Sequence, residues 1–242
     1  MNDMQGRTAL VTGAAGGIGA AIVRALQDRG VAVTGADLHK CGADHVIVGD
    51  LTDPRFCDQL AQRAADRMGG LDILVNNAGI IARGAITEAR DEDFSRSMAV
   101  NVEAPFRLCR AAIPIMARAG GGAIVNVASC WGVHPGPNHP VYVMSKAAVA
   151  ALTQCLGMDH AHQNIRVNTV CPNEVNTPML RTGFAARGFD PDTAIADLNA
   201  SVPLGRIAEP EDIADIVVFL ASGAARYLCG ALIEANGGKP VQ

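Results

Sequence analysis

The chain has 242 residues, 49% of them apolar, enough for one large α/β domain with a substantial core. Its net charge of −4, with no basic run and no basic stripe interleaved with aromatics, argues against a nucleic-acid partner. Seven scattered cysteines, an odd number with no C-x-x-C, argue against a disulfide framework or a zinc cluster.

Such cysteines fit small buried apolar residues in a reducing compartment. Cys130 stands apart because it adjoins a candidate active-site serine, but no base at a fixed offset supports a catalytic thiol. Residues 1–7 are polar, so no signal peptide is expected. No apolar run approaches the roughly 18 residues that span a membrane. A cytoplasmic protein without a membrane partner is the expectation.

Residues 8–11 form a short apolar strand that runs into Thr12-Gly13-Ala14-Ala15-Gly16-Gly17-Ile18-Gly19 and then into a helical pattern. Strand, glycine turn and helix form the setting of a phosphate-binding loop. Glycines admit the pyrophosphate to the backbone, and the helix start offers free N–H groups. An acid should close the next strand about 20 residues on. Asp37 ends the strand at 31–37. A carboxylate there accepts from the adenosine ribose hydroxyls and repels a 2′-phosphate, which favours NAD over NADP. His39 and Lys40 keep NADP open, and Asp37 has the alternative role of opening a turn.

Residues 46–51 read as strand three, 53–68 as an amphipathic helix closed by Gly69-Gly70, and 71–75 as strand four, followed by Asn76-Asn77-Ala78-Gly79. The Asn amides there either pin neighbouring loops or touch a ligand. A long helical pattern covers 91–119, with Pro105 and Pro114 as kinks or breaks and a polar Asn101 in its middle. Strand five, 123–127, leads to Ser129. A Gly/Pro-rich turn carrying Trp131, His134 and His139 follows, and then a small-residue helix from Tyr142 to about 158.

Tyr142 and Lys146 lie four apart, on one helical face. An ammonium beside a phenol lowers its pKa, so Tyr142 is a candidate acid/base, with Ser129 delivered from the strand end. Taken alone, Y-x-x-x-K also describes a surface tyrosine followed by a solvated lysine. Strand six, 165–170, precedes Cys171-Pro172-Asn173-Glu174-Val175-Asn176-Thr177. Residues 179–205 lose strand periodicity and suggest a substrate lid. A helix begins at Pro210, and residues 231–234 form a last strand.

Strands alternate with helices throughout, which predicts one doubly wound parallel sheet with helices on both faces and a single domain over 1–242. The glycine loop, Asp37, Asn77, Ser129 and Val175 all follow strands. They therefore fall on one sheet edge, where such folds bind ligands.

On these motifs the chain resembles the short-chain dehydrogenase/reductase family from about residue 6 to residue 239. T-G-x-x-x-G-x-G is met by Thr12, Gly13, Gly17 and Gly19, N-N-A-G by Asn76 to Gly79, and the catalytic set by Asn101, Ser129, Tyr142 and Lys146. The resemblance implies a Rossmann fold of about seven strands in the order 3-2-1-4-5-6-7, NAD or NADP as cofactor, and a homotetramer. It implies that Tyr142 is the acid/base, that Lys146 lowers its pKa and holds the nicotinamide ribose, that Ser129 binds the substrate oxygen, and that Asn101 holds a relay water.

Gly13, Gly17, Ile18, Gly19 and Asp37 would hold the cofactor. Asp50 and Leu51 would contact its adenine, Asn77, Ala78 and Gly79 its adenosine side, and Val175 and Thr177 its carboxamide. Asn173 stands where the family has glycine; asparagine tolerates a left-handed backbone better than most residues. Ser129, Trp131, His134, His139 and Tyr142 are the candidate substrate contacts. They point to a polar secondary alcohol or ketone such as a polyol, sugar or hydroxy acid. A 3-oxoacyl-type ketone reductase, an epimerase or dehydratase, and a non-catalytic dinucleotide sensor remain as alternatives.

Overall fold

A computed structural model describes residues 4–239; residues 1–3 and 240–242, which the single-domain reading included, lie outside the described residues. One sheet is formed by β1 (Thr8–Thr12), β2 (Ala32–Asp37), β3 (His45–Val48), β4 (Ile73–Asn76), β5 (Gly122–Val127), β6 (Ile165–Pro172) and β7 (Leu232–Ala235). All its pairings are parallel, in the order β3-β2-β1-β4-β5-β6-β7 expected from the resemblance. Parallel strands covered on both faces read as continuous apolar runs, and β1 and β4 are buried at every residue.

Helices α1 (Gly17–Gln27), α2 (Pro54–Met68), α3 (Asp91–Met98), α4 (Ala104–Arg118), α5 (Pro140–His160), α6 (Pro178–Ala185), α7 (Pro191–Ser201) and α8 (Pro210–Ala221) complete the chain. Apolar faces of α1 and α8 build the core on one side of the sheet around Ile22, Leu26, Val217 and Leu220. Those of α2 and α4 build the other around Leu60, Ala64, Leu108 and Met116. Asp53 caps α2 by accepting from Arg55 N, and Gly69 closes it in a left-handed conformation.

Three sequence expectations need correcting. The pattern over 91–119 is not one helix kinked at its prolines: α3 and α4 are joined by a π-helical turn, Ala99–Glu103. Pro105 lies in the first turn of α4, and Pro114 is accommodated inside it. The active-site helix starts at Pro140 rather than Tyr142, with a proline in its first turn. By length and composition the helical stretch Pro140–Gln163 is apolar enough to cross a membrane, contrary to the reading that no such run exists. That reading sought an unbroken apolar run, whereas Ala, Val and Leu around Lys146 raise the average. One face of the helix, bearing Ser145, Lys146, Val149 and Thr153, is buried within the chain.

The stretch expected as a lid consists of α6 and α7, whose apolar residues pack together around Ile195, Val202 and Ile207. Its two ends are fastened to each other: Val175 bridges Ala208, and Asn176 N donates to Ala208 O at 2.8 Å.

Candidate active site

The carboxyl ends of β1, β2, β4, β5 and β6 open onto one cavity of about 570 Å³, capped by the start of α6. At its β1 corner, Gly13 (φ +64°) and Gly17 (φ +52°) adopt left-handed conformations that suit glycine. A Cβ at residue 13 would lie 2.9 Å from Ala78 Cα, so the glycine turn and the segment after β4 are in contact. Thr12 makes the same junction: its Oγ1 accepts from Asn77 N and Ala78 N, both at 3.1 Å. The Asn77 amide donates to Thr12 O at 2.9 Å and Gly13 O at 3.1 Å, the loop-pinning role. The first turn of α1 has no side-chain cap and no acidic residue, which leaves its N–H groups directed at the cavity rim.

Asp37, at the end of β2, lines the cavity. Its Oδ2 accepts from Ala15 N at 3.0 Å and its Oδ1 from His39 N at 3.1 Å. Asp50 and Leu51 do not line it. β3 ends at Val48, and Asp50 Oδ1 accepts from Thr52 N at 2.8 Å to start the turn into α2. Leu51 packs on the core under α2.

Ser129 follows β5 and is nearly buried. Its Oγ accepts from Trp131 N at 3.2 Å, donates toward Pro172 O at 3.5 Å, and hydrogen-bonds the Tyr142 hydroxyl. Lys146 is buried one turn along α5 and donates from Nζ to Val127 O at 2.9 Å. Burial pulls its pKa down to about 8. Tyr142 is half-buried in the cavity wall, and desolvation of its phenol pushes the pKa up; the Ser129 hydrogen bond and the Arg83 guanidinium oppose that rise.

The sequence had Lys146 lowering the pKa of Tyr142. Lys146 Nζ lies 5.9 Å from the phenol ring centroid and donates to the Val127 carbonyl. The Arg83 guanidinium also acts on the phenol, opposing the rise in its pKa.

Asn101, on the π-helical turn, lies behind the cavity rather than in its lining. Its amide clamps Ile80 in both directions at 2.9 Å and donates to Ser145 Oγ at 2.9 Å. A Cβ at Gly79 would lie 3.1 Å from Lys146 Nζ and 3.5 Å from Asn101 Oδ1, so this glycine keeps the space between the two groups open.

Trp131 lines the cavity and meets Tyr142 edge-on at 6.5 Å. The two histidines of the turn do not line it. His134 Nε2 lies 3.1 Å from Glu234 Oε1, and His139 packs on Trp131 at 4.5 Å between ring centroids. Val175 and Thr177 line the cavity, and Thr177 Cγ2 would lie 3.3 Å from a Cβ at Gly17, so the two rims approach each other.

Asn173 is not among the left-handed residues; the turn after β6 is held by Asn173 N donating to Ala235 O at 3.1 Å, so no glycine conformation is needed there. Cys130 points away, with Sγ donating to Cys171 O at 3.0 Å and its pKa pushed up by burial to about 12, an inert thiol. No cluster able to hold a metal ion occurs among the described residues. The sequence reading missed Arg83, which lines the cavity from the loop after β4. Nothing in the spacing around N-N-A-G marks that residue as inward-facing.

Residues 13–239 match the family described as enoyl-(acyl carrier protein) reductase. An uncharacterised oxidoreductase of Thermotoga maritima is 35% identical over 98% of this chain and 98% of its own. Ligand-free aldohexose dehydrogenase of Thermoplasma acidophilum superposes with a TM-score of 0.94 at 31% identity, covering 100% of this chain and 98% of its own. The 3-ketoacyl-(acyl-carrier-protein) reductase of Brucella melitensis, solved with NADH, gives 0.89 at 28% identity over 98% and 100%.

Proposed function

Because the chain belongs to the short-chain dehydrogenase/reductase family of oxidoreductases, we propose that it moves a hydride between NAD and a polar secondary alcohol or its ketone. The observation that carries this reading is the joint presence of Ser129, Tyr142 and Lys146 on the cavity into which the glycine turn also opens. The residues present fit a nicotinamide dinucleotide. The uncapped start of α1 and the glycine turn suit a pyrophosphate, and Asp37 suits ribose hydroxyls. Lys146, Val175 and Thr177 would hold the nicotinamide end. The bound cofactor supplies the hydride chemistry.

The chain's own part is position and a proton. Ser129 fixes the substrate oxygen beside the Tyr142 oxygen, which as phenolate takes the alcohol proton in oxidation and as phenol gives a proton in reduction. The Asn101 clamp on Ile80 and Ser145 holds the segment after β4 against α5, so the two sides of the cavity keep their spacing. A free phenol is already protonated at neutral pH and burial raises its pKa further, so positive charge in the cavity assists its proton loss. Tyr142→Phe is expected to lower kcat by about 10²–10⁴, with cofactor affinity retained.

NAD is favoured over NADP because the Asp37 carboxylate lines the cavity beside the glycine turn, oriented by Ala15 N, and a carboxylate there would repel a 2′-phosphate. Titration should give NAD at least about tenfold the affinity of NADP, roughly 1.4 kcal/mol; tighter NADP binding would refute the assignment of Asp37. A panel of polyols, aldoses and hydroxy acids with NAD, read as NADH formation, tests the substrate class. The aldohexose dehydrogenase neighbour supports that class. A second reading, reduction of a 3-oxoacyl thioester, draws on the 3-ketoacyl reductase neighbour and on Met179 and Leu180, which give the lid side of the cavity an apolar wall. Reduction of acetoacetyl thioesters in preference to sugars would favour it. We also propose that copies of the chain assemble as a homotetramer.

A further inference from the structure

We propose that Arg83, with Arg187 beside it, anchors an anionic group of the substrate, a carboxylate or a phosphate, at the mouth of the cavity. This rests on the oxidoreductase reading and narrows its substrate class from polar to negatively charged. Arg83 lines the same cavity as Ser129, Trp131 and Tyr142. Its loop is tied to the active-site turn by Gly84 N donating to Asn138 O at 2.9 Å.

Two guanidiniums converge on one buried glycine of the lid. A Cβ at Gly183 would collide with Arg83 Nη2 and lie 2.9 Å from Arg83 Cζ. Arg187 Nε donates to the Gly183 carbonyl at 3.0 Å, and its guanidinium lies over Phe184 at 4.9 Å and Phe189 at 5.6 Å. Both guanidiniums are solvent-exposed and of like charge, so an anion bound between them would relieve their repulsion. No acid supplies one: among the described residues, neither Arg83 nor Arg187 takes part in an ion pair.

The neighbouring charges are compensated. Arg181 pairs with Asp192 at 2.8 Å, and Arg206 with Asp212 at 2.8 Å. Of the two acids lining the cavity, Glu174 is paired with Lys239 at 2.8 Å, and Asp37 is turned to Ala15 N on the glycine-turn side. The substrate side is left with Lys146 and Arg83 as uncompensated cations. A guanidinium offers a planar fork that matches carboxylate and phosphate oxygens. Arg83 and Tyr142 line one cavity, so an anion held there shares that space with the reacting oxygen.

The test is calorimetric titration of the protein saturated with NAD, in which oxo compounds bind without being reduced. Acetoacetate is compared with methyl acetoacetate, and dihydroxyacetone phosphate with dihydroxyacetone; the two pairs separate carboxylate from phosphate. At least one anion should bind about tenfold or more tightly than its neutral counterpart. Arg83→Gln should erase that ratio while leaving the neutral ligand's Kd and the unfolding temperature nearly unchanged. Arg83→Lys should restore part of the ratio, and Arg187→Gln should reduce it. Equal binding of anion and neutral ligand in both pairs, or a preference that survives Arg83→Gln, would overturn the proposal.

NADH formation from 3-hydroxybutyrate and glycerol 3-phosphate separates the two readings. An Arg83-dependent anion preference without turnover supports the anchor and counts against hydride transfer. NADH formed from neutral alcohols, with no anion preference, does the reverse. If NAD does not bind, the same titration on the free chain decides the anchor.

Discussion

Lys146 is enclosed between β5 and α5, where burial lowers its pKa from 10.5 to about 8. Between those two values the unfolded chain keeps a proton that the native chain has released, so native stability rises with pH across that window. Below about pH 8 both states are protonated, and the native state bears the full cost of the buried ammonium. Lys146→Met removes this dependence. Urea unfolding should therefore show the variant gaining on the wild type at pH 7.5, with most of that gain gone at pH 10. The change should be up to about 3 kcal/mol, from 1.36 kcal/mol per pKa unit. Cys57, Cys109 and Cys130 have pKa values raised by burial, which weakens both proteins alike above about pH 9 and cancels in the difference, whereas Cys171, whose rise Lys146 opposes, weakens the variant more and adds to the loss of its gain at pH 10. Parallel stability curves would show that Lys146 is not buried as a weak base. At this scale the sequence identified Tyr142 and Lys146 but not the orientation of the ammonium. Four-residue spacing shows that two side chains share a helix face, not that one nitrogen will turn to the Val127 carbonyl.

Strand and helix identities were legible because β1 and β4 are largely apolar and glycine turns such as Gly69-Gly70 and 120–122 separate the elements. The polar ladder that crosses those elements was not. Asn76 Nδ2 on β4 donates to Asn126 Oδ1 on β5 at 2.8 Å, and Asn126 Nδ2 donates to Thr153 Oγ1 on α5 at 2.8 Å. The ladder fixes the active-site helix to the two strands that carry N-N-A-G and Ser129. Asn76 Oδ1 already lacks a hydrogen-bond partner. Asn126→Val would suit a strand by propensity, yet it would deprive the Asn76 amide of its oxygen acceptor, leaving it only Cys109 Sγ at 3.4 Å, and Thr153 Oγ1 of its donor. It should cost about 1–3 kcal/mol, the range for a buried polar group left unpaired. Chemical denaturation measures this, and a variant as stable as the parent would show the ladder to be passive. Asn101 teaches a related lesson. Its place inside a helical pattern gave no hint of how it reaches Ile80 and Ser145, because only the π-helical turn brings it there.

Across the whole molecule, one sheet edge collects loops from distant parts of the chain into the cavity, and that convergence was readable from the alternation of strands and helices. Arg83 was not, because its partner Gly183 lies a hundred residues on, in a lid whose path no local pattern sets. The outer face of the same framework bears on assembly. Met98, Val102, Phe106, Ala148 and Leu152 line a shallow apolar groove between α5 and the run from α3 to α4, with Phe106 47% exposed. Symmetric copies of one chain bury a patch against its own counterpart, so a single substitution there acts on both sides of the contact. Phe106→Glu would set a new carboxylate near Glu103 on each copy, and like charges facing each other in a desolvated contact strongly disfavour it. The wild type should sediment at four times the 25.1 kDa chain mass and Phe106→Glu as a smaller species, with NAD affinity kept because the substitution lies away from the cavity. A wild-type monomer, or a tetramer unmoved by the new charge, would locate the contact elsewhere or remove it.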